Sequence, residues 1–407
     1  MATVSWIGDS PDVAQVNAST PSSVGVGNVF NVTINAKTIS FTATAATVAN
    51  VTAGLAGLIN SSNIPEFTEI TAADLTTILT LTAKQAGKPF TQTSSASGGT
   101  AAFVTTTTVA SSGPNDLGVA ANYSTGSLPV NADNLYFEGG AAVLWNLGAL
   151  SAVTLNSLNR SAAFTNQIGL LDYDQDAGYR QYRPKILVVK ASTVNLGYSH
   201  SGITSGGPSI ERYDFGANAT AINVYSTGSP SASDLMALMI KGSGSNYSVN
   251  VTSGYVGFAI FNGEICTITT LNNYQGVLSL GSGCTVATML TDGPGGSVYA
   301  SCNITTLTNV DGSSTIDGAA AVTTMNIRGG SVNYLSSGTI STAHVEAGAT
   351  LDFTGDNRAK TVSVLTLSKG SKLIDKAKVV TGLSAELSCG LNDVSIDLGS
   401  DITITRS

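Results

Sequence analysis

Cys266-Thr-Ile268-Thr-Thr270-Leu271, Cys284-Thr-Val286-Ala-Thr288-Met289, Cys302-Asn-Ile304-Thr-Thr306-Leu307, Ala320-Ala-Val322-Thr-Thr324-Met325 and Gly338-Thr-Ile340-Ser-Thr342-Ala343 recur every 18 residues. Each column keeps its chemical type. Cys, Ala or Gly stands first, Ile or Val third, Thr fifth, and an apolar residue sixth. A fixed period of about 20 residues with β-branched columns indicates stacked coils. Each strand then lies parallel on its predecessor, roughly 4.8 Å along the axis. The first and third columns point inward together, because side chains alternate along a strand. The phase slips between Thr270 and Leu271, so the strand turns a corner there.

A second column supports this register. Gly276, Gly312, Gly330 and Gly348 align, with Pro294 in the slot of the missing coil, as a recurring tight turn requires. Val362 follows Ile340 by 22 residues, and Gly370 follows Gly348 by 22, so both columns slip together. The 18-residue step is then expected to resume from Val362 to Val380 and from Leu365 to Leu383. The fold class is therefore mainly β, a parallel β-helix preceded by a small α+β domain. An apolar period of six suits a left-handed coil. The tolerated insertion and the longer upstream coils favour a right-handed one, which is the expectation.

Upstream, Val194-Asn-Leu196, Ile222-Asn-Val224 and Val249-Asn-Val251 share one pattern, and such asparagines can ladder through their amides. Val153 to Leu158 reads as an early rung and Ile186 to Val189 as an apolar strand. The tube ends near Leu398, with Ile402-Thr-Ile404 as a closing strand. Before the tube, residues 1–20 read as an extended arm or first strand. Phe30, Val32 and Ile34 alternate, Asn35-Ala36-Lys37 turns, and Ile39 and Phe41 alternate back as a hairpin. Val48, Val51, Leu55 and Leu58/Ile59 have helical spacing over 46–60. The stretches from Pro65 to Ile70 and from Ile78 to Thr82 read as two more strands. Ser111-Ser-Gly-Pro-Asn115 marks a boundary. Three regions result: an α+β docking domain over 1–112, irregular longer coils over 113–265, and regular coils with a C-terminal cap over 266–407.

The chain has 407 residues, 11% of them charged, 44 glycines and a net charge of −8. It has no basic cluster, which argues against nucleic acid as a partner. No run of 18 apolar residues suggests a membrane span. The N-terminus lacks the basic and apolar regions of a secretory signal. A β-helix with a hydroxyl-rich surface and no export signal fits a protein that either stays in the cytoplasm or leaves as part of a particle assembled there.

Pro65-Glu-Phe67, Leu79-Thr-Leu81-Thr-Ala83 and Ala86-Gly87-Lys88-Pro89-Phe90 resemble a small domain that recurs in proteins of tailed phages and prophages. Gly113-Pro-Asn115-Asp-Leu-Gly, Ala121-Asn122-Tyr123, Pro129-Val and Asp133-Asn-Leu-Tyr-Phe137 resemble the start of the β-helix in the same proteins, many of which have Trp where Tyr123 stands. The resemblance covers most of the chain in layout. It implies a virion structural role at the particle surface, with capsid or tail proteins as partners, and it supplies no catalytic residues. By analogy of fold, a homo-oligomer, most simply a trimer, is expected.

The most polar and aromatic loop runs from Leu171 to Pro184. Its Asp172, Tyr173, Asp174, Asp176, Tyr179, Arg180, Tyr182 and Arg183 are the candidate binding or interface residues. Tyr and Arg are frequent at the energetic centres of interfaces. The aspartates have the oxygens calcium needs, but the loop lacks the downstream Glu of an EF-hand. A plain structured loop, or tyrosines stacking on a glycan, are the other readings. No cofactor or metal site is expected. Cys266, Cys284 and Cys302 share one column and read as small buried hydrophobes, since stacked side chains suit disulfide geometry poorly. Asp352 and Asp356 are the one candidate carboxylate pair for glycan cleavage, and also read as a turn with a local ion pair. His200 and His344 lie apart in coil order. The expected function is a noncatalytic virion protein, a decoration protein or head spike that aids host adhesion. A glycan-cleaving tailspike and a bacterial surface adhesin are the alternatives.

Overall fold

The computed structural model describes residues 1–174, 178–197, 210–217, 221–228, 236–242, 246–376, 379–380, 384–387, 391–397 and 403–406. From Asn134 onward the chain is a parallel β-solenoid. Cys266 pairs with Cys284, Ile268 with Val286 and Leu271 with Met289. The 18-residue register continues through Ile304, Val322 and Ile340. Ile340 then faces Val362 across the longer coil. The inward column Ile268, Val286, Ile304, Val322 and Ile340 is at most 2% exposed. Each such side chain contributes about 1.5–3 kcal/mol relative to an exposed one. The corner between Thr270 and Leu271 is real: Thr269 is exposed and Leu271 buried.

Two parallel sheets run up the tube. Strands Asn246–Phe258 and Cys266–Leu280 bend at a second corner, near Thr252 and Tyr274, and belong to both. The second sheet continues through Ser297–Ala300, Ser313–Ile316, Ser331–Tyr334, Thr350–Asp352, Lys372–Ile374 and Ser395–Asp397. Gly312, Gly330, Gly348 and Gly370 all have φ between +64° and +80°. A Cβ on Gly330 would lie 2.2 Å from the Gly312 carbonyl oxygen. The turn thus needs glycine for both its backbone conformation and its close stacking.

Two details of the expected register differ. Ser297 pairs with Ser313 and the Ser313 amide donates to Gly296 O, so Gly296, not Pro294, stacks beneath Gly312. After the longer coil the 18-residue step does not resume. Leu365 faces Ala385 and Lys360 faces Val380, a step of 20. β-branched residues are dense enough there for Val362 and Val380 to imitate a repeat. Leu383, Leu398 and Ile402 lie outside the described residues, while Thr403–Arg406 closes the sheet on Ser384–Leu387.

The expected asparagine ladder is present and longer than its motif. Asn195 Nδ2 donates to Asn159 Oδ1 at 2.9 Å, Asn223 to Asn195 at 3.0 Å, Asn250 to Asn223 at 3.0 Å and Asn272 to Asn250 at 2.9 Å. Inside the tube, Arg160 and Glu211 form an ion pair at 2.9 Å, 1% and 2% exposed. Arg160 also donates to Ser161 O, Phe164 O and Asn166 O, and Tyr213 Oη donates to Glu211 Oε2.

The N-terminal α+β domain has two antiparallel sheets, with Val16–Ser22 central in one and Val29–Ile34 in the other. The hairpin forms with Phe30 opposite Phe41 and Val32 opposite Ile39. Its turn is only Asn35-Ala36, both at positive φ, and Lys37 already pairs with Ile34. Helix Val48–Asn60 is capped by Thr47 and buries Val51, Leu55 and Ile59 on one face, leaving Leu58 exposed. Pro65–Thr68 is a helical turn and not a strand. Proline at the first helical position presets φ and lacks only an amide that has no partner there. The strand begins at Ile70. The first strand, Thr3–Ser5, belongs to the solenoid and pairs with Asn134 to Tyr136. The domain expected over 1–112 therefore starts after this arm. The arm buries Trp6 edge-on against Tyr123, which donates to Leu117 O at 2.7 Å. That aromatic packing fixes the arm across the first coil.

Candidate functional site

The widest step in the ladder, 36 residues from Asn159 to Asn195, holds a loop that leaves the tube. Within it Tyr173–Asp174 and Tyr179–Arg180 form an antiparallel hairpin. Its second strand and the chain just beyond it meet the N-terminal domain at Glu69, just ahead of strand Ile70–Asp74. Tyr182 Oη donates to Glu69 Oε2 at 2.7 Å, and Tyr179 Oη donates to Oε1. Arg183 donates through both terminal nitrogens to the same carboxylate, and its Nε donates to Pro89 O at 3.3 Å. Lys88 adds a second cation at 2.5 Å. The rings of Tyr179 and Tyr182 stack at 5.8 Å. Arg183 and Lys88 lie 5.4 and 5.6 Å from the centre of the Trp145 ring, on the solenoid side.

Burial pushes the Glu69 carboxyl up, but Arg183, Lys88 and Tyr182 outweigh it and hold the group below the usual carboxylate range. Burial also raises the Tyr182 phenol, helped by Glu69 and opposed by Arg183. The arrangement is a charge-assisted clamp between the two domains. It cannot act as an acid near neutrality, because the ionised form is the one stabilised.

Of the residues predicted from sequence, Tyr179, Tyr182 and Arg183 therefore converge on one point within the chain. Asp172 accepts both terminal nitrogens of Arg212 at 3.0 Å and pairs with Lys185, which hold it ionised. Those cations occupy the two carboxylate oxygens of Asp172. Tyr173 and Arg180 face each other across the hairpin and are exposed. Asp174 pairs through its backbone with Tyr179. Its side chain, and Asp176 altogether, lie outside the described residues. Glu69 carried no sequence signal beyond a lone acid in a motif. Its partners Tyr179, Tyr182 and Arg183 are separated from it by over a hundred residues, so only the fold could join them.

Beside the clamp a cleft of about 310 Å³ opens between the domains, lined by Phe90, Trp145, Asn146, Leu147, Tyr182 and Arg183 among others. Asn146 sits at φ +52° and donates at 2.8 Å to each oxygen of the buried Asp116. Burial raises the Asp116 carboxyl, against the bonds from Asn146 and the Gly118 amide.

The carboxylate pair in the longer coil is bound by neighbours. Asp352 accepts from the Thr354 amide at 2.8 Å and from its hydroxyl. Asp356 accepts from Lys360 and from Arg358 Nε at 2.7 Å, and Lys360 foremost lowers it to about 2. Arg358 also reaches Asp317 at 2.8 Å. His344 is exposed in the outward column of a regular rung, facing Asn326 and Thr366. His200 lies outside the described residues. Cys266, Cys284 and Cys302 are free thiols in the buried column. Their mutual hydrogen bonding and burial push the Cys284 and Cys302 thiols up. Among the described residues, no three His, Cys, Asp or Glu side chains are grouped to hold a metal, and no helix is long and apolar enough to cross a membrane. No known protein family, curated protein or solved structure matches the chain.

Proposed function

We propose that the chain is a noncatalytic structural protein on the exterior of a tailed-phage particle. The N-terminal domain docks to the capsid or tail, and the solenoid projects from it or lies along the shell. The observation that carries this reading is the clamp at Glu69. A docking domain held by Tyr179, Tyr182, Arg183 and Lys88 transmits load to a rod and does not swing freely from it. The outward columns suit close packing against neighbours. Thr267, Thr285, Thr339 and Thr361 share one column, and Thr270, Thr288, Thr306, Thr324 and Thr342 another, with no charged side chain in either between those residues. The resemblance to phage proteins, carried by the stretches between Pro65 and Phe137, gives the setting, and analogy of fold suggests a trimer. The noncatalytic part is supported by Asp356, held ionised by two cations and so unsuited to donate a proton to a glycosidic oxygen.

Peptide mass spectrometry of purified particles tests the assignment. The chain should be found at fixed stoichiometry to capsid or tail proteins after density-gradient purification. Its absence from particles refutes the reading and favours a bacterial surface adhesin.

A further inference from the structure

At the corner between the two sheets, Val224 pairs with Val251 and Val251 with Asn273. The next residues, Tyr225, Thr252 and Tyr274, therefore stack on successive rungs. All three are exposed, Tyr225 by 55% and Tyr274 by 40%. The two tyrosines are two rungs apart, roughly 9.6 Å at the usual strand spacing. Each stands two residues beyond a ladder asparagine, Asn223 or Asn272, and so emerges on the same outward side. Each of Asn223 and Asn250 gives one N–H and one acceptor site to the ladder. An amide has two of each, so a second donor and a second acceptor per rung remain at the half-buried surface. The strip ends cleanly: on the next rung Leu290 replaces Asn272 in the ladder column, and Asp292 follows at the corner.

We infer that this strip binds a neutral, linear polysaccharide lying along the solenoid axis. Two exposed aromatic rings at the pitch of a disaccharide unit offer platforms for the apolar faces of alternate sugars. The amide column beside them offers donors and acceptors to the ring hydroxyls. Aromatic platforms with a few fixed polar groups are a common basis of small-molecule recognition. Strands Ala221–Ser226, Asn246–Phe258 and Cys266–Leu280, which carry the strip, have no charged residue, which favours a neutral chain over an anionic one. Tyr299, 55% exposed, lies in the other sheet opposite Ser279 and serves as an internal control.

Affinity electrophoresis of the intact chain through gels holding hydroxyethylcellulose, galactomannan, glucomannan or mixed-linkage β-glucan tests this, with alginate as the anionic control. Native protein should be retarded by at least one neutral polymer and not by alginate. Tyr225→Ala and Tyr274→Ala should each weaken binding about tenfold, the size expected for one lost aromatic stack. Tyr225→Phe should retain it and Tyr299→Ala should leave it unchanged. All three positions are exposed, and matched circular-dichroism melts check that the variants fold. No retardation by any neutral polymer, retardation by alginate alone, or unchanged retardation of the Tyr225→Ala/Tyr274→Ala double variant overturns the inference. The assay uses the isolated chain, so glycan binding and particle location stand or fall separately.

Discussion

Glu211→Gln removes one charge from the interior of the solenoid and leaves its shape nearly intact. Arg160 then keeps its three carbonyl partners, Ser161 O, Phe164 O and Asn166 O. It loses the carboxylate that takes its Nε and one terminal nitrogen. A buried ion stripped of its partner typically costs about 3–5 kcal/mol. The remaining carbonyls share the guanidinium charge, so the expected loss is at the lower end, about 3 kcal/mol. Replacing both partners, as Arg160→Met with Glu211→Leu, removes the desolvated charge altogether and should fall within about 1 kcal/mol of the native protein. Coils of a solenoid open semi-independently, so the readout is native-state amide exchange in strands Thr154–Arg160 and Glu211–Asp214, with urea unfolding as the global measure. The reasoning fails if Glu211→Gln costs less than about 1 kcal/mol, or if the double variant is less stable than the single one.

Three further outcomes follow from other parts of the structure. Glu69→Gln should open the domain junction, read as faster proteolysis around residues 84–90 and 171–184 with the solenoid intact. The folded carboxyl is depressed, so the clamp is fully formed above the ordinary Glu range of about pH 4.3. It is lost as pH falls below that range, and scattering should show the two domains separating only in acid. Asn250→Ala removes two ladder bonds and should cost about 1–2 kcal/mol, while Asn250→Leu, the residue type at Leu290 in this column, should cost less, measured by exchange at the neighbouring rungs. Cys284 and Cys302 should resist iodoacetamide at pH 8 until the protein unfolds, because burial shields both thiols and a raised thiol pKa leaves little thiolate, as site-resolved mass spectrometry would show.

The regular coils were legible because stacking forces one residue type onto itself. The Ile268 and Leu271 columns and the Thr column could be read to the residue, as could the slip at Val362. Where coil length varies twice in succession, the columns lose their meaning, and Val380 pairs with Lys360 instead of Val362. The ladder was visible in three asparagines, and its ends at Asn159 and Asn272 were hidden only because their flanking residues depart from the motif. Pro65 to Thr68 misled because a short apolar segment fits strand and helix alike, and the proline's place at a first helical turn decides it. The candidate loop stands out by its Tyr and Arg content, and Tyr179, Tyr182 and Arg183 contact Glu69 of the same chain. Its target, Glu69, belongs to another domain, and long-range pairing of single charges leaves no periodic trace. Arg160 and Glu211 were missed for the same reason. The N-terminal arm reads as an arm or first strand, but its place in the solenoid is hidden, because three residues of strand carry no repeat of their own.

Immunogold labelling of intact particles with two antibodies, one against the N-terminal domain and one against the coils over 303–345, tests the central claim most directly. A docked domain carrying a displayed solenoid predicts dense labelling by the coil antibody and little by the domain antibody until particles are disrupted. Equal labelling by both, or labelling by neither, would contradict it.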